Sequence, residues 1–326
     1  MATYYDIFGQ KVQYLASGPS PVQVGQVWYN STSQSAKIYT NVGAAVTTGG
    51  NMNTALGQLG GQTGTQTATL AFAGNGLPNT EEYNGTTWTA SNGVNLARYS
   101  GSNGGTQTAT FFGGGSVPAG SPGPGATENY NGTCWATSGT MGTARKYLDG
   151  CGTQTAGLAG GGGYPAPVRA ACEAYDGSTW TGLPSLNNGG YNIRITKEGT
   201  QTATIAAGGI PRTTNTESFD GSSWTNVAAF PGGIQGGGMA GTQSDGVYFS
   251  GSNPTPTRIT TIFDWNGSAW STSPATAIVA KSGNYGSGAS AASLFASGVN
   301  PASPTIGVNT QELTDPSFAT QTLSTS

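Results

Sequence analysis

One phrase returns six times along this chain, and a chain that repeats itself must fold into repeated units that bury their faces against one another. The phrase is Gly-Thr-Gln-Thr-Ala-Thr, then apolar residues, then glycine. It stands at 64–74, 105–115, 152–161 and 199–209, and in weaker form at 241–251 and 288–298. Its third position holds Gln66, Gln107, Gln154, Gln201, Gln243 and finally Ser290. A second phrase follows each time, first as Thr80-Glu81-Glu82-Tyr83-Asn84-Gly85-Thr86-Thr87-Trp88. It recurs at 127–135, 172–180, 216–224 and 262–270, with tryptophan always three residues after the turn glycine. A sixth copy aligns at 312–318, with Asp315-Pro316 at the turn and Phe318 in place of tryptophan.

The small/large alternation of Thr67-Ala68-Thr69-Leu70-Ala71-Phe72 is that of a strand packed close to its neighbours. Asn84-Gly85 and its later copies predict a two-residue type I′ turn, so the second phrase is expected to form a β-hairpin. A third phrase, Asn95-Leu96-Ala97-Arg98 and Gly142-Thr143-Ala144-Arg145, links one repeat to the next. A related stretch, Asn53-Thr54-Ala55-Leu56, precedes the first repeat, and nothing like it follows Phe318. That asymmetry predicts a ring closed by a strand from the other end, which removes exposed sheet edges. The expected fold is therefore all-β, a propeller of about six blades over 51–326, with five or seven blades and an open solenoid as alternatives. Residues 1–50 lack the repeat phrases. They are expected to form an N-terminal arm and a small β-hairpin module, built from Gln26-Val27-Trp28-Tyr29-Asn30 and Ala36-Lys37-Ile38-Tyr39-Thr40, that serves for anchoring or oligomerisation.

Composition narrows the function. Charged residues make up 8% of the chain, against roughly 25% in ordinary globular proteins. Lys and Arg total 11, net charge is −3 and no basic cluster occurs, so no nucleic-acid partner is expected. No apolar run reaches the roughly 20 residues of a membrane helix, and the N-terminus lacks the pattern of a secretory signal. Cys134, Cys151 and Cys172 have no framework spacing and are expected to be free, small buried thiols.

The paired glycines, the Tyr/Phe before the turn and the Trp after it resemble kelch-type propeller repeats. The wording Gly-Thr-Gln-Thr-Ala with Thr-Glu-x-Tyr-Asn/Asp-Gly-x-x-Trp resembles more particularly the kelch-like repeats in virion proteins of tailed phages, marine ones above all. Gly25-Gln26-Val27-Trp28-Tyr29-Asn30 is similar to short hairpins near the N-termini of phage tail and fibre proteins. The resemblance implies a virion component, in a tail, a fibre or a surface decoration. Its first 50 residues would bind other virion proteins or further copies of the chain, through Trp28, Tyr29 and Tyr39, and its propeller would be displayed for host-surface attachment.

The chain has no histidine, which removes Ser-His-Asp and Cys-His catalysis and His-ligated metal. No enzymatic role and no cofactor is expected. Glu81, Glu128, Glu173, Glu217 and Glu312 recur at one position; they are expected to accept backbone hydrogen bonds within their blades, a ring of Ca²⁺ ligands being the alternative. Asp176-Gly177-Ser178-Thr179-Trp180 approaches the Asp-box of sialidase-type propellers but lacks one residue between Asp and Gly. A sialidase-like hydrolase is accordingly the third choice, behind a virion component and a free carbohydrate- or receptor-binding propeller. The repeats differ most in the loops at 75–79, 116–126, 162–170, 210–215, 252–258 and 299–309, which should emerge on one face. Recognition usually resides in such loops. Tyr164, Arg169, Arg212 and Arg258 are the candidate contacts for a glycan or receptor.

Overall fold

The structure is a computed structural model describing residues 12–21, 26–118, 123, 125–163, 170–211, 214–253, 257–299, 307–314 and 317–322, without the side chains of 39–42 and 317–322. Every regular element among them is a strand. The chain divides into two compact units, 46–314 and a smaller one of 1–45 with 315–326.

The larger unit is a six-bladed β-propeller, each blade a four-stranded sheet. Blade 1 consists of Leu59–Thr65, Ala68–Gly74, Leu77–Tyr83 and Trp88–Ser91. Blades 2 to 5 repeat this order, their first strands being Ser102–Thr106, Asp149–Thr153, Arg194–Ile195 and Gly238–Gly241. Blade 6 contains Tyr285–Ala289, Ala292–Ala296 and Thr310–Thr314, and its fourth strand is Ala45–Thr48 from the other end of the chain. The first strand of each blade packs against that of the next, and that of blade 6 against that of blade 1, so the ring closes. Close packing at the centre explains the inner-strand glycines. A Cβ on Gly61 would lie 2.6 Å from Asn103 of blade 2, and one on Gly104 2.7 Å from the Cys151 carbonyl carbon of blade 3.

The smaller unit is a sheet in the order Gln13–Leu15, Val27–Asn30, Ser35–Val42, Ser317–Thr322. Its first pair is parallel and the others antiparallel.

Four expectations are corrected. The boundaries fall at 45/46 and 314/315 rather than at 50/51. Because Ala45–Thr48 fills the fourth place of blade 6, the segment around Phe318 has no place there and pairs instead with Ser35–Val42. The register of the sixth copy also moves by one: Phe295 faces Gln311 as Ala71 faces Glu81, so Gln311 and not Glu312 continues the carboxylate series. Finally, the hairpin loop has four residues, closed by the Tyr83–Trp88 pair. Asn84 Oδ1 accepts the N–H groups of Thr86 at 3.0 Å and Thr87 at 2.9 Å, and Gly85 alone takes a positive φ, of 93°. Asn131, Asp176, Asp220 and Asn266 do the same in their blades. The side-chain acceptor thus does the work that a second left-handed residue does in a type I′ turn.

Candidate functional site

The variable loops leave the ring beside a repeated turn. Their opening residues pair with the segment entering each first strand, as Tyr99–Ser116, Lys146–Gly163, Tyr191–Ile210, Gln235–Ser252 and Ser282–Val299. The residue after each of these entry positions is left-handed: Ser100 (φ 54°), Tyr147 (59°), Asn192 (56°), Gly236 (65°) and Gly283 (74°), with Gln58 (48°) in blade 1. Their backbones join blade to blade. Ser100 N–H donates to Leu59 O at 2.9 Å, Tyr147 to Ser100 O at 2.8 Å, Asn192 to Tyr147 O at 2.8 Å, and Gly283 to Gly236 O at 2.7 Å.

All six left-handed residues line one cavity of about 270 Å³, which is therefore axial and opens on the loop face. Its charged lining consists of Arg194 and Arg258. Arg194 is 3% exposed; its Nε–H donates to Gly237 O, its second guanidinium N–H group to Asn284 O at 3.2 Å, and its plane lies 4.3 Å from the Tyr285 ring centre. Arg258 Nε–H donates to Ser282 Oγ at 2.8 Å. Tyr147 contributes an aromatic face, 6.0 Å from the ring of Tyr191. Burial and the neighbouring Tyr99 and Tyr191 push its phenol upward.

Tyr285 fills the centre of the ring. Its hydroxyl donates to Gly101 O of blade 2 at 3.2 Å, and Lys197 Nζ lies 5.0 Å from its ring centre. Lys197 is buried, ion-paired with Asp149 and hydrogen-bonded to Gly150 O at 2.9 Å. Lys197 in turn lines a second cavity, of about 650 Å³, at the tips of the first-phrase hairpins. That cavity is larger, but its wall is mostly the repeated wording itself, glycine, threonine and glutamine that recur with the fold. Residues that differ between blades line the smaller one, and the smaller one is the better candidate for recognition.

Of the sequence candidates, Arg258 is in this site, half-buried. Tyr164, Arg169 and Arg212 lie outside the described residues. Trp28, expected as an anchor, is 2% exposed and so presents no contact surface. Tyr29 is half-buried with its ring 4.6 Å from that of Tyr14, itself 74% exposed; the side chain of Tyr39 lies outside the description. Sequence reasoning missed Tyr147, Asn192 and Arg194. They stand just after the linking phrase, where Ser100, Tyr147, Asn192 and Gly236 differ from blade to blade, and that variation was the available signal.

The recurring carboxylates serve the blades. Glu81 accepts the N–H groups of Asn53 and Thr54 at 2.8 and 2.7 Å, Glu128 those of Asn95 and Leu96, and Glu217 those of Asn187 and Asn188. Arg98 and Arg145 are buried against Glu128 and Glu173 at 3.1 and 2.7 Å. The three cysteines are free; Cys134 is exposed, contrary to expectation, while burial pushes Cys151 up to about 12 and Cys172 to about 11.

No family model matches this chain, and no curated protein does. Among solved structures, that of YjhT is similar with a TM-score of 0.67 at 11% identity, over 82% of this chain and 99% of that one. At that identity the likeness shows the fold alone.

Proposed function

We propose that this chain is a non-catalytic recognition propeller that presents its loop-face cavity to a surface glycan, carried on a tailed-phage particle. The observation behind the recognition reading is the left-handed turn. Two blades fill it with glycine, Gly236 and Gly283, for which that conformation is free. Four blades fill it with Gln58, Ser100, Tyr147 and Asn192, at a cost of roughly 1–3 kcal/mol per strained residue. All four residues line the cavity, where a side chain in place of glycine can meet a ligand. Glycoside cleavage normally requires two carboxyl groups flanking the bond, and the described lining contains none.

The particle setting is supported by the wording of the repeats and of residues 25–30. Mounting through the smaller unit would use the exposed Tyr14 and its neighbour Tyr29 rather than Trp28.

A glycan array with the full chain tests recognition. Tyr147→Gly should relieve the strained backbone, keep the denaturation midpoint within about 1 kcal/mol of wild type, and abolish the array signal. A variant that binds like wild type would remove the cavity from the reading. Cross-linking mass spectrometry on purified particles, with Lys37 as a reporter, tests the setting: links to a head or tail protein are expected, and absence of the chain from particles would refute it.

A further inference from the structure

The variable loops are unbalanced in charge by sequence. The six variable loops, 75–79, 116–126, 162–170, 210–215, 252–258 and 299–309, contain Arg169, Arg212 and Arg258 and not one Asp or Glu, in a chain whose acids outnumber its bases 14 to 11. Among the described residues the cavity lining has the same sign: Arg194 and Arg258 are in it and no carboxylate is. Three other buried cations are neutralised directly, Arg98 by Glu128, Arg145 by Glu173 and Lys197 by Asp149, while Lys281 is held by a backbone carbonyl. Arg194 is as buried as these, yet among the described residues neither it nor Arg258 has an acid within ion-pair distance. Arg194 donates to Gly237 O and Asn284 O and Arg258 to Ser282 Oγ, so the two guanidinium groups share the 282–284 stretch of wall.

A guanidinium has five N–H donors in a fixed fork that matches a carboxylate. Arg258 uses its Nε–H within the protein, which leaves the two terminal NH₂ groups of its fork to a ligand. Gln235 Oε1, also in the lining, is buried without a hydrogen-bond partner and can accept from a hydroxyl. Tyr147 adds an aromatic ring to the lining, with Lys146 Nζ 5.0 Å from its centre. From this set we infer that the cavity takes an acidic sugar residue, with its carboxylate toward Arg258 and Arg194 and a hydroxyl toward Gln235. The inference rests on the glycan-recognition reading and names the class of glycan.

The test is calorimetric binding of the full chain to oligogalacturonate and to a neutral galacto-oligosaccharide of the same length. The acidic series should bind at least about tenfold more tightly, a difference of roughly 1.4 kcal/mol, and its advantage should shrink as salt is raised. Arg258→Gln should erase that preference, and Arg258→Lys should keep part of it. Among the described residues Arg258 makes one side-chain hydrogen bond, so an unchanged melting curve is expected for both variants. Equal affinity for the two series, or an acid preference that survives Arg258→Gln, would overturn the acidic-sugar assignment while leaving glycan recognition standing. Binding to neither series, together with a blank array, would remove both.

Discussion

Four outer-strand tryptophans donate their indole N–H across a blade boundary to a threonine hydroxyl: Trp88 to Thr310 at 2.8 Å, Trp135 to Thr80 at 3.0 Å, Trp180 to Thr127 at 2.8 Å and Trp270 to Thr216 at 2.9 Å. The fifth, Trp224, meets Cys172 at the threonine position, and its buried N–H faces only the thiol, a weak acceptor, without a bond of ordinary geometry. A buried donor left unpaired costs about 1–3 kcal/mol. Cys172→Thr restores the arrangement of the other blades, where the same backbone already accommodates the extra methyl group. It should raise stability by about 1 kcal/mol, the net value of an ordinary hydrogen bond, read as an upward shift of the urea midpoint. A lower midpoint would mean that this boundary is packed too tightly for threonine. The tryptophan spacing was plain in the sequence; its partner was not, because it sits one repeat upstream and only the closed geometry brings the two together. The tyrosine before each turn behaves likewise. Tyr83 and Tyr130 donate to Glu312 and Glu82 of the preceding blade at 2.5 and 2.6 Å, and where Phe219 replaces tyrosine the facing position holds Ala174.

At the scale of elements, five blades are fastened to the linker that enters them by one polar side chain on the third strand, and in blade 5 Phe263 takes that place and packs against Phe230 of the linker. In blades 2 and 3 that side chain is a glutamate paired with the linker arginine. In blade 6 both partners change. Gln311 bonds the backbone of Val279 in both directions, at 3.0 and 3.1 Å, and Lys281 replaces the arginine, donating to Asn309 O at 2.6 Å. The sequence suggested Glu312 for this role, since a glutamate one residue away was the better match by residue type; the strand register decided otherwise. With no carboxylate beside it, the Lys281 amine is pushed down by burial to about 7 from an ordinary 10.5. Its charged form therefore destabilises the fold. Above about pH 7 the folded protein releases this proton while the unfolded chain keeps it, so stability should rise with pH by up to about 1.4 kcal/mol per unit. The rise belongs to the window from about 7 to about 8.5; above it the unfolded thiols of Cys151 and Cys172 ionise while burial keeps the folded ones protonated, which lowers stability, so urea midpoints are compared between about pH 6.5 and 8.5. Gln311→Glu supplies the missing carboxylate and should flatten the profile. A wild-type midpoint that does not move across this window would mean that the buried amine is paired in a way its surroundings do not show.

A closed ring makes every blade boundary equivalent, whereas an open array leaves its two end units half-supported. The first-phrase glutamine reports on this. Its side-chain amide donates to two backbone carbonyls of the preceding blade: Gln107 to Thr69 and Tyr83 at 3.1 and 2.7 Å, Gln154 to Thr110 and Tyr130 at 3.0 and 2.7 Å. Gln66, in blade 1, makes the same pair of bonds to Ser293 and Leu313 of blade 6, at 3.2 and 3.0 Å, across a sequence separation of more than two hundred residues. The boundary that lacks the glutamine, at Ser290 between blades 5 and 6, has the stacked rings of Phe249 and Phe295, 4.1 Å apart. The repeated glutamine was evident in the sequence as a word, but not as a fastener, since its acceptors are backbone atoms that no residue type reveals. Closure was expected, but the stretch that suggested it, residues 53–56, is blade 1's own entry linker bonded to Glu81; the closing strand is Ala45–Thr48, which carries no repeat phrase. If the ring closes as it stands, Gln66→Leu and Gln107→Leu should cost the same, about 1–3 kcal/mol for carbonyls left without their donor. Urea denaturation of the two variants decides the matter. A substantial loss for Gln107→Leu beside none for Gln66→Leu would mean that the first and last blades part in solution, and that the loop-face cavity, which draws one residue from every blade, is completed only when they meet.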